Sequence, residues 1–393
     1  MLKQHFKEKS EASFIGRSSY LSRIDENFLK GRHTLLLAQS GHGRESLLRQ
    51  SCAKSNAFYI DLRKTSLSPE SFAVEFVSNI CFYNLAKSNS ELPKYQTIAG
   101  LKQLKLGKKC SETIERIDNE LQKIKPDQSL LLASAISFAE EFAAEADKKY
   151  FIAINNFEEF LKLNNFSHVT DSMNLFFNSI KGNKRCSFVL SSSAIYQMKR
   201  VLEKYPVDIV EVSPLSEDET KELFTAIAGK TDERILKLVH ELSAGIPIVV
   251  SSIAARFKHE KGTDVQKNLD LVKYILASLL STKNTLPHIY CRKLFYESLN
   301  RARGESLLRI LLKVISQNKQ LRLTEIAKLI YRSGPVTKSL LERLIEVDLI
   351  VKTGKTFDFA NPVLKQWCKL MFANIEFNET PDEETLKEFG AIL

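Results

Sequence analysis

Cysteine is scarce in this sequence, and close cysteine pairs are missing altogether. The 393 residues include six cysteines, and no two of them form a CxxC pair. Scattered single cysteines in a long chain are typical of reduced thiols, whereas disulfide frameworks and zinc sites need closely spaced ligands. The absence excludes a disulfide-stapled scaffold, and cysteine and histidine together show no metal-ligand spacing.

Long apolar runs are absent as well. No run reaches the ~20 residues that a membrane helix needs. The N-terminal MLKQHFKEKSEAS is polar where a secretory signal would be apolar. We therefore expect a cytoplasmic protein without a membrane partner. With 44% hydrophobic residues the chain can bury a sizeable core, and its length predicts two or three domains.

Acidic residues are few in one stretch and dominant in another. Residues 283–332, the basic block, contain eleven Lys or Arg and three Asp or Glu. Residues 376–393, the acidic tail, contain six acids and one lysine. A basic block of this kind favours an anionic partner such as DNA. The alternative is a solvated pair of basic helices that the protein's own tail covers.

Apolar runs of strand length alternate with helical patterns through the first half of the chain. The predicted strands are 33–39, 56–63, 150–156, 185–193 and 207–215. Helices are predicted between them, for example at 69–85 and 112–123, and the polar stretch 88–127 is predicted to be a helical insertion. This alternation predicts an α/β domain over 1–213, with a mostly parallel sheet covered on both faces.

The pattern becomes helical in the second half. Ser216 and Glu219 form a capping-box sequence that opens a helix, and helical periodicity continues from there. We assign 214–290 to a helical lid domain. Residues 291–375 then show three helices followed by a hairpin that turns at 353–355, which is the order of a winged-helix domain.

The segment AQSGHGRE, residues 38–45, joins the first predicted strand to a helix. This is the position of a phosphate-binding loop, G-x-x-x-x-G-K-[ST], whose glycines let backbone N–H groups close around phosphate. Gly41 and Gly43 are present, but Arg44 and Glu45 stand where the loop needs a lysine for the outer phosphates and a hydroxyl for Mg²⁺. A carboxylate in that place repels phosphate by ~1–4 kcal/mol.

Two further residues of this segment belong to the predicted nucleotide-binding set. Ser46 carries a hydroxyl, but one step along a helix turns it about 100° away from the position of Glu45. His42 lies inside the loop, has no carboxylate neighbour in sequence and is predicted to face solvent. Neither residue replaces the missing lysine or the missing hydroxyl.

The predicted strand 150–156 ends in Asn155 and Asn156. A nucleotidase of this layout needs an acidic pair here, because the first acid ligates Mg²⁺ and the second activates the attacking water. Asparagine keeps the size of aspartate and accepts a hydrogen bond, but it neither neutralises a cation nor acts as a base. Glu158 and Glu159 follow, and we expect them to face solvent from the start of a helix.

Further stretches complete the pattern, namely FIGRSSYLSRI (14–24), YIDLR (59–63), FVLSSS (188–193), PLSE (214–217), GIP (245–247) and FANPVLKQW (359–367). Together with the loop and the strand IAINNFEEF, they resemble the archaeal-type ATPases of the STAND and AAA+ group, relatives of the origin-binding ORC proteins. The resemblance covers residues 14 to 370. It implies a P-loop NTPase-like parallel-sheet domain, followed by a helical lid domain and a C-terminal winged helix.

The resemblance also implies ATP or ADP as the ligand, with Gly16, Arg17 and Pro247 lining the adenine side. The scaffold letters are kept, whereas the lysine, the hydroxyl and both acids of the catalytic set are replaced. We therefore predict negligible ATP hydrolysis and no bound Mg²⁺. Two alternatives stay open for the pocket: the loop glycines and Arg44 hold phosphate without a metal, or the pocket is empty.

The third helix of the predicted winged-helix domain has one apolar face and one face of balanced charge. Its core stripe is predicted to consist of Val336, Leu340, Leu341, Leu344 and Ile345. Predicted DNA contacts come from the open face, the wing and the upstream segment, and are Arg301, Arg303, Thr337, Lys338, Arg343, Lys352 and Lys355. Because Glu342 and Glu346 balance the positive charge of the helix, phosphate contact is favoured over base readout. Winged helices also serve as protein-docking modules, which is the alternative.

Three functional hypotheses follow. The leading one is a catalytically inactive regulatory or scaffolding protein with an ATPase-like fold, whose protein partner is an active ATPase relative or a second copy. The second is a winged-helix DNA-binding factor of replication or transcription. The third is a slow NTPase of unusual chemistry that uses Arg44 and Glu158.

Overall fold

The computed structural model describes residues 15–53, 56–373 and 381–392. These residues form two compact units. The first comprises the described residues up to Ala38, Arg44–Ser193 and Met198–Val212, and the second comprises Gln39–Gly43, Ala194–Gln197 and the described residues from Ser213 onward. Each unit has its own buried apolar core.

The first unit is built around a five-stranded sheet with the order β2-β3-β4-β1-β5. The strands are β1 (His33–Leu37), β2 (Ala57–Asp61), β3 (Tyr150–Asn155), β4 (Cys186–Ser192) and β5 (Val207–Glu211). This order makes β2 and β5 the edge strands. All neighbouring pairs run parallel. Each predicted strand is present, although all five are shorter than predicted, and the predicted parallel α/β architecture is confirmed.

Helices connect the strands and pack around the sheet. They are α1 (Ser18–Leu29), α2 (Arg44–Ala53), α3 (Pro69–Leu85), α4 (Leu92–Tyr95), α5 (Ile98–Lys102), α6 (Lys108–Leu121), α7 (Gln128–Glu145), α8 (Ser172–Ser179) and α9 (Ile195–Leu202), with 3₁₀ turns at Asn89–Glu91 and Phe157–Asn165. The prediction of α3 is confirmed to the residue. Ser68 caps it by accepting a hydrogen bond from the backbone N–H of Ser71, and Pro69 lies in its first turn. The stretch 88–127 is largely helical, as predicted.

The centre of the sheet is buried on both faces, which explains its nearly continuous apolar strands. Every residue of β3 and β4 is buried. Phe188 of β4 forms an aromatic cluster with Phe157, Phe160 and Phe176, in which neighbouring ring centroids are 5.0 to 5.6 Å apart. Burying one such side chain contributes about 1.5–3 kcal/mol relative to leaving it exposed. These rings therefore hold the segment that follows β3 against the sheet.

The second unit is mainly helical. Its helices are α10 (Glu217–Ala228), α11 (Glu233–Ser243), α12 (Pro247–Glu260), α13 (Val265–Ser281), α14 (Leu286–Ala302), α15 (Glu305–Gln317), α16 (Leu323–Leu329), α17 (Gly334–Glu346), α18 (Pro362–Ala373) and α19 (Glu383–Ile392). A small antiparallel sheet of order β6-β8-β7 consists of β6 (Leu321–Arg322), β7 (Ile350–Thr353) and β8 (Thr356–Phe359). The predicted capping box is confirmed, because Ser216 and Glu219 each bond to the other's backbone N–H at the start of α10.

The three helices and the hairpin predicted for 291–375 are present as α15, α16, α17 and β7–β8, with Gly354 at the turn in the left-handed region. One part of the α17 prediction is wrong. Val336, predicted to be core, is 44% exposed, whereas Thr337, predicted to face DNA, is 0% exposed. The buried positions of α17 are Thr337, Leu340, Leu341 and Leu344. The buried stripe therefore begins one residue later than predicted. Thr337 can be buried because its hydroxyl donates a hydrogen bond to the carbonyl oxygen of Ser333 (3.0 Å).

Most of the acidic tail that lies within the described residues is a helix. Leu386 and Phe389 of α19 are buried in the core of the second unit, and α19 packs against α13. Glu383 and Glu384 occupy the first turn of α19, where the helix dipole favours negative charge. Residues 376–380 and 393 lie outside the described residues. Glu383–Ile392 is therefore a packed helix of the second unit.

All six cysteines are buried, and none forms a disulfide. Within the described ranges, no group of three His, Cys, Asp or Glu side chains is placed to hold a metal ion. Among the same residues, no helix combines the length and the apolar character of a membrane span.

Candidate functional site

Arg44 and the two asparagines that end β3 come together in the first unit, as their positions in the sequence predict. Arg44 is the first residue of α2, and its Nη2 donates to Oδ1 of Asn156 (3.1 Å) and to Oδ1 of Asn155 (3.4 Å). Burial lowers the pKa of the Arg44 guanidinium, and the nearby Glu158 carboxylate opposes this shift. The guanidinium stays protonated at neutral pH, so a fixed positive charge faces two neutral amides.

Both asparagine side chains are held in place by a second partner. Ser191 of β4 donates from Oγ to Oδ1 of Asn155 (2.8 Å), and Nδ2 of Asn156 donates to Oδ1 of Asp61 (2.7 Å). Asn156 itself has a φ of 56°, in the left-handed region that asparagine tolerates better than most residues. The amide oxygens are thereby turned toward Arg44, and the carboxyl ends of β2, β3 and β4 form one connected polar network.

Two atoms of this network have no hydrogen-bond partner among the described residues. Nη1 of Arg44 and Oε2 of Glu158 are both buried and unpaired. Leaving a buried polar group unsatisfied costs about 1–3 kcal/mol, and more when the group is charged. An orphaned guanidinium nitrogen beside a phosphate-type loop is the donor that an anionic ligand or an ordered water would use.

The prediction that Glu158 and Glu159 face solvent is wrong. Their side chains are only 8% and 13% exposed, and both accept hydrogen bonds from Arg63, at 3.4 and 3.3 Å. Ser193 adds a bond from its Oγ to Oε1 of Glu158 (3.2 Å). The reason is the aromatic cluster: Phe157 and its neighbours are buried, so the two acids between them lie against the sheet edge. Arg63 comes shortly after predicted strand β2, and Glu158 and Glu159 come shortly after predicted strand β3. These matching positions after two parallel strands were the signal in the sequence for the pairing.

Glu45 does not point its charge at a metal site. Its Oε1 accepts hydrogen bonds from Nε (2.9 Å) and Nη2 (2.6 Å) of Arg49, one turn further along α2. Glu45 is half-exposed in this ion pair, and Ser46 is exposed. The repulsion predicted for a carboxylate at this position is therefore reduced by a neighbouring cation.

The loop residues Gln39–Gly43 belong to the second unit. Gly41 and Gly43 have φ values of 86° and 81°, which favour glycine. The ring of Tyr290 lies directly against Gly41, since a Cβ built there would be 2.6 Å from Cε2 of the tyrosine. His42 is buried, so the prediction that it faces solvent is wrong.

Polar contacts within the second unit also hold this loop. Gln39 donates from Nε2 to the carbonyl oxygen of Asp348 (3.2 Å) and accepts at Oε1 from Nδ2 of Asn361 (3.4 Å). The same Nδ2 donates to the Tyr290 hydroxyl (2.6 Å). Tyr290 was missed by sequence reasoning, whereas Asn361 lies in the FANPVLKQW stretch. The loop conformation thus depends on side chains that follow it by some 250 to 320 positions.

The three residues expected at the adenine side are placed as follows. Gly16 and Arg17 both adopt positive φ before α1, and the carbonyl oxygen of Arg17 accepts the N–H groups of Tyr20 and Leu21. The buried Arg17 guanidinium lies 5.6 Å from the Tyr20 ring centroid. Pro247 opens α12 in the second unit. Their role at a nucleotide remains a prediction.

Two of the predicted DNA-contact arginines are occupied by internal bonds. Arg343 donates from Nε (3.1 Å) and Nη2 (2.6 Å) to the carbonyl oxygen of Ala302. Arg301 donates from Nη2 to Ser298 Oγ (3.2 Å) and to the carbonyl oxygen of Val347 (3.4 Å). These bonds tie the end of α14 to α17.

The remaining predicted contacts, Arg303, Lys338, Lys352 and Lys355, are exposed. Lys338 forms a loose pair with Glu342 (3.7 Å), so α17 presents little net charge. Sequence reasoning did not single out Tyr331, which is 88% exposed in the turn between α16 and α17. Its position near the end of the short predicted helix LTEIAKLIYRS (323–333), inside the basic block, was the available signal.

The sheet order, the loop between β1 and α2, and the polar network at the ends of β2, β3 and β4 define a P-loop NTPase-like fold with a helical C-terminal part. Among solved structures, the chain resembles the Walker-type ATPase PABY2304 of Pyrococcus abyssi, with 18% sequence identity, a TM-score of 0.64, and coverage of 91% of this chain and 97% of that one. It also resembles the ORC2 protein of Aeropyrum pernix, solved in ADPNP and ADP complexes, with 9% identity, a TM-score of 0.53, and coverage of 97% and 96%.

At these identities the likeness shows the fold alone. No family model and no curated protein sequence matches the chain. The resemblance to archaeal Walker-type and ORC-type ATPases that the motifs predicted is confirmed at the level of fold.

Proposed function

We propose that this protein uses an ATPase fold for binding rather than for hydrolysis, and acts as a regulatory or scaffolding protein. The observation that carries the proposal is the contact of the Arg44 guanidinium with both Asn155 and Asn156. In a hydrolysing site these three positions supply a lysine and two acids around Mg²⁺. Here they supply one cation and two neutral acceptors that bond to each other.

The chemistry of this contact argues against metal-assisted turnover. Mg²⁺ is held in proteins by carboxylates and phosphate oxygens, and amide oxygens are weaker partners for it. A guanidinium bonded to those amides repels a divalent cation and occupies their acceptor atoms. Glu158, the nearest alternative base, has one carboxylate oxygen bonded to Arg63 and Ser193. That oxygen is therefore already engaged by two hydrogen-bond donors.

We further propose that ATP or ADP binds without Mg²⁺. Arg44 provides a permanent positive charge, and its unpaired Nη1 is a free donor for a phosphate oxygen. The likeness to an ORC2 protein solved with ADPNP and ADP supports this ligand class. With a positive side chain in place of the metal, Mg²⁺ is not expected to raise the affinity, and it lowers the apparent affinity where it sequesters the free nucleotide.

Calorimetric titration with ATP and ADP, each with Mg²⁺ and with EDTA, tests this proposal. We expect binding in EDTA that is at least as tight as binding with Mg²⁺, and no phosphate release above a no-protein blank. Arg44→Gln should weaken binding about tenfold, because a tenfold change corresponds to the free energy of one lost charge-assisted hydrogen bond. Arg200→Gln, at an exposed arginine of α9, is the matched control and should bind like the unaltered protein. Mg²⁺-dependent phosphate release, or affinity that rises with Mg²⁺, would overturn the proposal.

The output of such a protein would be a complex with another protein. We propose an active ATPase relative or a second copy of the chain as the partner, in the cytoplasmic setting that the sequence predicts. Sedimentation velocity with and without ADP, alone and mixed with an archaeal-type ATPase, tests this. A nucleotide-dependent shift to a larger species is the expected result, and a monomer under every condition argues against both partners.

A second candidate function is DNA contact through the winged-helix-like segment α15 to β8. The observation that favours it is the exposed set Lys352, Lys355 and Arg303 together with the exposed Tyr331. Contacts of this type neutralise phosphates and read little sequence. With a salt titration of duplex binding, the double variant Lys352→Ala/Lys355→Ala should reduce the salt slope by about 1 for each phosphate that is no longer neutralised. Absence of binding at low salt rejects this candidate.

A further inference from the structure

A cavity of about 840 Å³ lies in the first unit, beside the end of the edge strand β2. Residues of β2, α2, α3 and α4 line it, so the helical segment 88–127 supplies part of its wall. Its size falls within the range of pockets that bind small ligands. It is lined by Tyr59 and Asp61 but by none of Arg44, Asn155 and Asn156, and the proposed function does not use it.

Aromatic rings form much of the lining. Tyr59, Phe82, Tyr83 and Tyr95 all contribute, and the rings of Phe82 and Tyr95 meet edge to face at 5.5 Å. One cation already lies on this surface, because the Arg49 guanidinium is 4.7 Å from the Tyr59 ring centroid. The face of a tyrosine ring attracts a positive group through its quadrupole, most strongly where water is partly excluded.

Carboxylates outnumber free cations in the same cavity. Glu45, Asp61 and Glu75 line it, against Arg49 and Lys64. Arg49 is already bonded through Nε and Nη2 to Glu45, and Lys64 is exposed. Glu75 uses Oε2 to accept from the backbone N–H of Ser66 (3.1 Å). Burial raises the pKa of Glu75, and among the described residues its side-chain bond is to a backbone N–H rather than to a cation.

We infer that this cavity binds a small organic cation, in which an ammonium or guanidinium group is carried on an apolar or aromatic stem. The cationic group sits among the tyrosine rings with Glu75 and Asp61 as its counter-charges, and the stem lies against Phe82 and Tyr83. An anionic ligand would have to displace Glu45 from Arg49 and face the other two carboxylates. A neutral apolar ligand would bring no counter-charge to those carboxylates.

Three probes with one common ring test the inference: benzylamine, benzyl alcohol and benzoate. A fourth probe, agmatine, carries both cationic groups on an aliphatic stem. Saturation-transfer NMR and calorimetry on the full chain should show saturable binding of benzylamine and agmatine. The alcohol should bind about tenfold more weakly or worse, and benzoate should not bind. Because no nucleotide is added, failure here leaves the proposed nucleotide site untouched.

Two variants place the binding in the cavity. Glu75→Gln should weaken benzylamine about tenfold by removing its counter-charge, and Tyr83→Leu should weaken it by removing ring surface. The matched control Glu112→Gln removes an exposed carboxylate of α6 that pairs only loosely with Lys108 and should change nothing. Circular dichroism verifies folding of each variant. Binding of benzoate as tight as that of benzylamine, no effect of Glu75→Gln in a folded protein, or no saturable binding of either cation would each overturn the inference.

Discussion

Arginine plays different roles in two regions of this molecule. At the carboxyl end of the parallel sheet, Arg44 faces two neutral amides and keeps one buried nitrogen without a partner. In the second unit, Arg343 gives both Nε and Nη2 to the carbonyl oxygen of Ala302. The first guanidinium is available to a ligand, whereas the second is consumed in joining two helices. Formal charge therefore predicts binding only after the donors already in use have been counted.

The largest expected effect is a loss of stability, and it concerns the buried apolar face of α17, which lies opposite the face that carries its charged residues. Leu341→Ala should lower the free energy of unfolding by about 2–5 kcal/mol, because it removes a buried side chain and leaves a cavity. Val336→Ala, on the same helix but half-exposed, should stay within about 0.5 kcal/mol. Urea unfolding of both variants measures the difference. Equal losses would place the apolar stripe of α17 where the sequence predicted it.

A partly buried basic side chain extends the comparison to His33, the first residue of β1. Burial lowers the pKa of His33 to about 4 from its ordinary value of 6.5. Between about pH 6.5 and pH 4, His33 is protonated in the unfolded chain but neutral in the folded protein. Stability should therefore fall by about 3 kcal/mol across this window.

His33→Gln should remove this part of the pH dependence. In the unaltered protein the backbone N–H of Phe188 donates a hydrogen bond to His33 Nδ1 (3.2 Å), and the glutamine side chain can still accept that bond. Denaturant midpoints from pH 7 to pH 4 measure the effect. If the variant and the unaltered protein lose stability in parallel, His33 is not the group responsible.

Arg343→Gln tests the claim that this arginine holds the structure together. It should destabilise the protein by about 1–3 kcal/mol, since two hydrogen bonds to one carbonyl are removed. Arg303→Gln removes an exposed arginine nearby and should cost less than about 0.5 kcal/mol. Thermal unfolding compares the two. A larger loss of duplex affinity for Arg343→Gln than for Arg303→Gln, at unchanged stability, would return Arg343 to the DNA-contact set.

The smallest expected effect is a Mg²⁺-dependent stabilisation, and it tests the Arg44 region of the comparison. Replacing Arg44, Asn155 and Asn156 together by Lys, Asp and Glu should create a weak Mg²⁺ site with nucleotide bound. With free Mg²⁺ at ten times its Kd, mass action would stabilise the variant by about 1.4 kcal/mol. The unaltered protein should show no Mg²⁺-dependent rise in melting temperature. Such a rise in the unaltered protein would mean that the amide pair does hold the cation.

The architecture of the first unit was readable because its signals are local. Each strand is a short apolar run bounded by turn residues; Asn156 follows the end of β3, and Arg44 begins the helix after the turn that follows β1. Parallel strands bring their carboxyl ends to one edge, so spacing along the chain becomes proximity in space. For the same reason the contact between Arg44 and the asparagines was within reach of sequence reasoning, although its hydrogen bonds were not.

The missed features depend on partners distant in sequence or on the phase of a helix. Glu158 is buried because its apolar neighbours are, and because Arg63 arrives from another strand. Tyr290 reaches Gly41 only after the second unit has folded. For α17, a shift of one residue, about 100° on a helix, exchanged Val336 and Thr337 between surface and core.

The docking of α19 has a practical consequence for deletion experiments. A truncation before residue 381 would remove Leu386 and Phe389 from the core of the second unit and uncover the surface of α13 that they cover. Loss of activity or solubility in such a shortened protein would report unfolding of that surface rather than loss of negative charge. Charge-neutralising substitutions at Glu383 and Glu384, which leave the apolar side of the helix intact, separate the two effects.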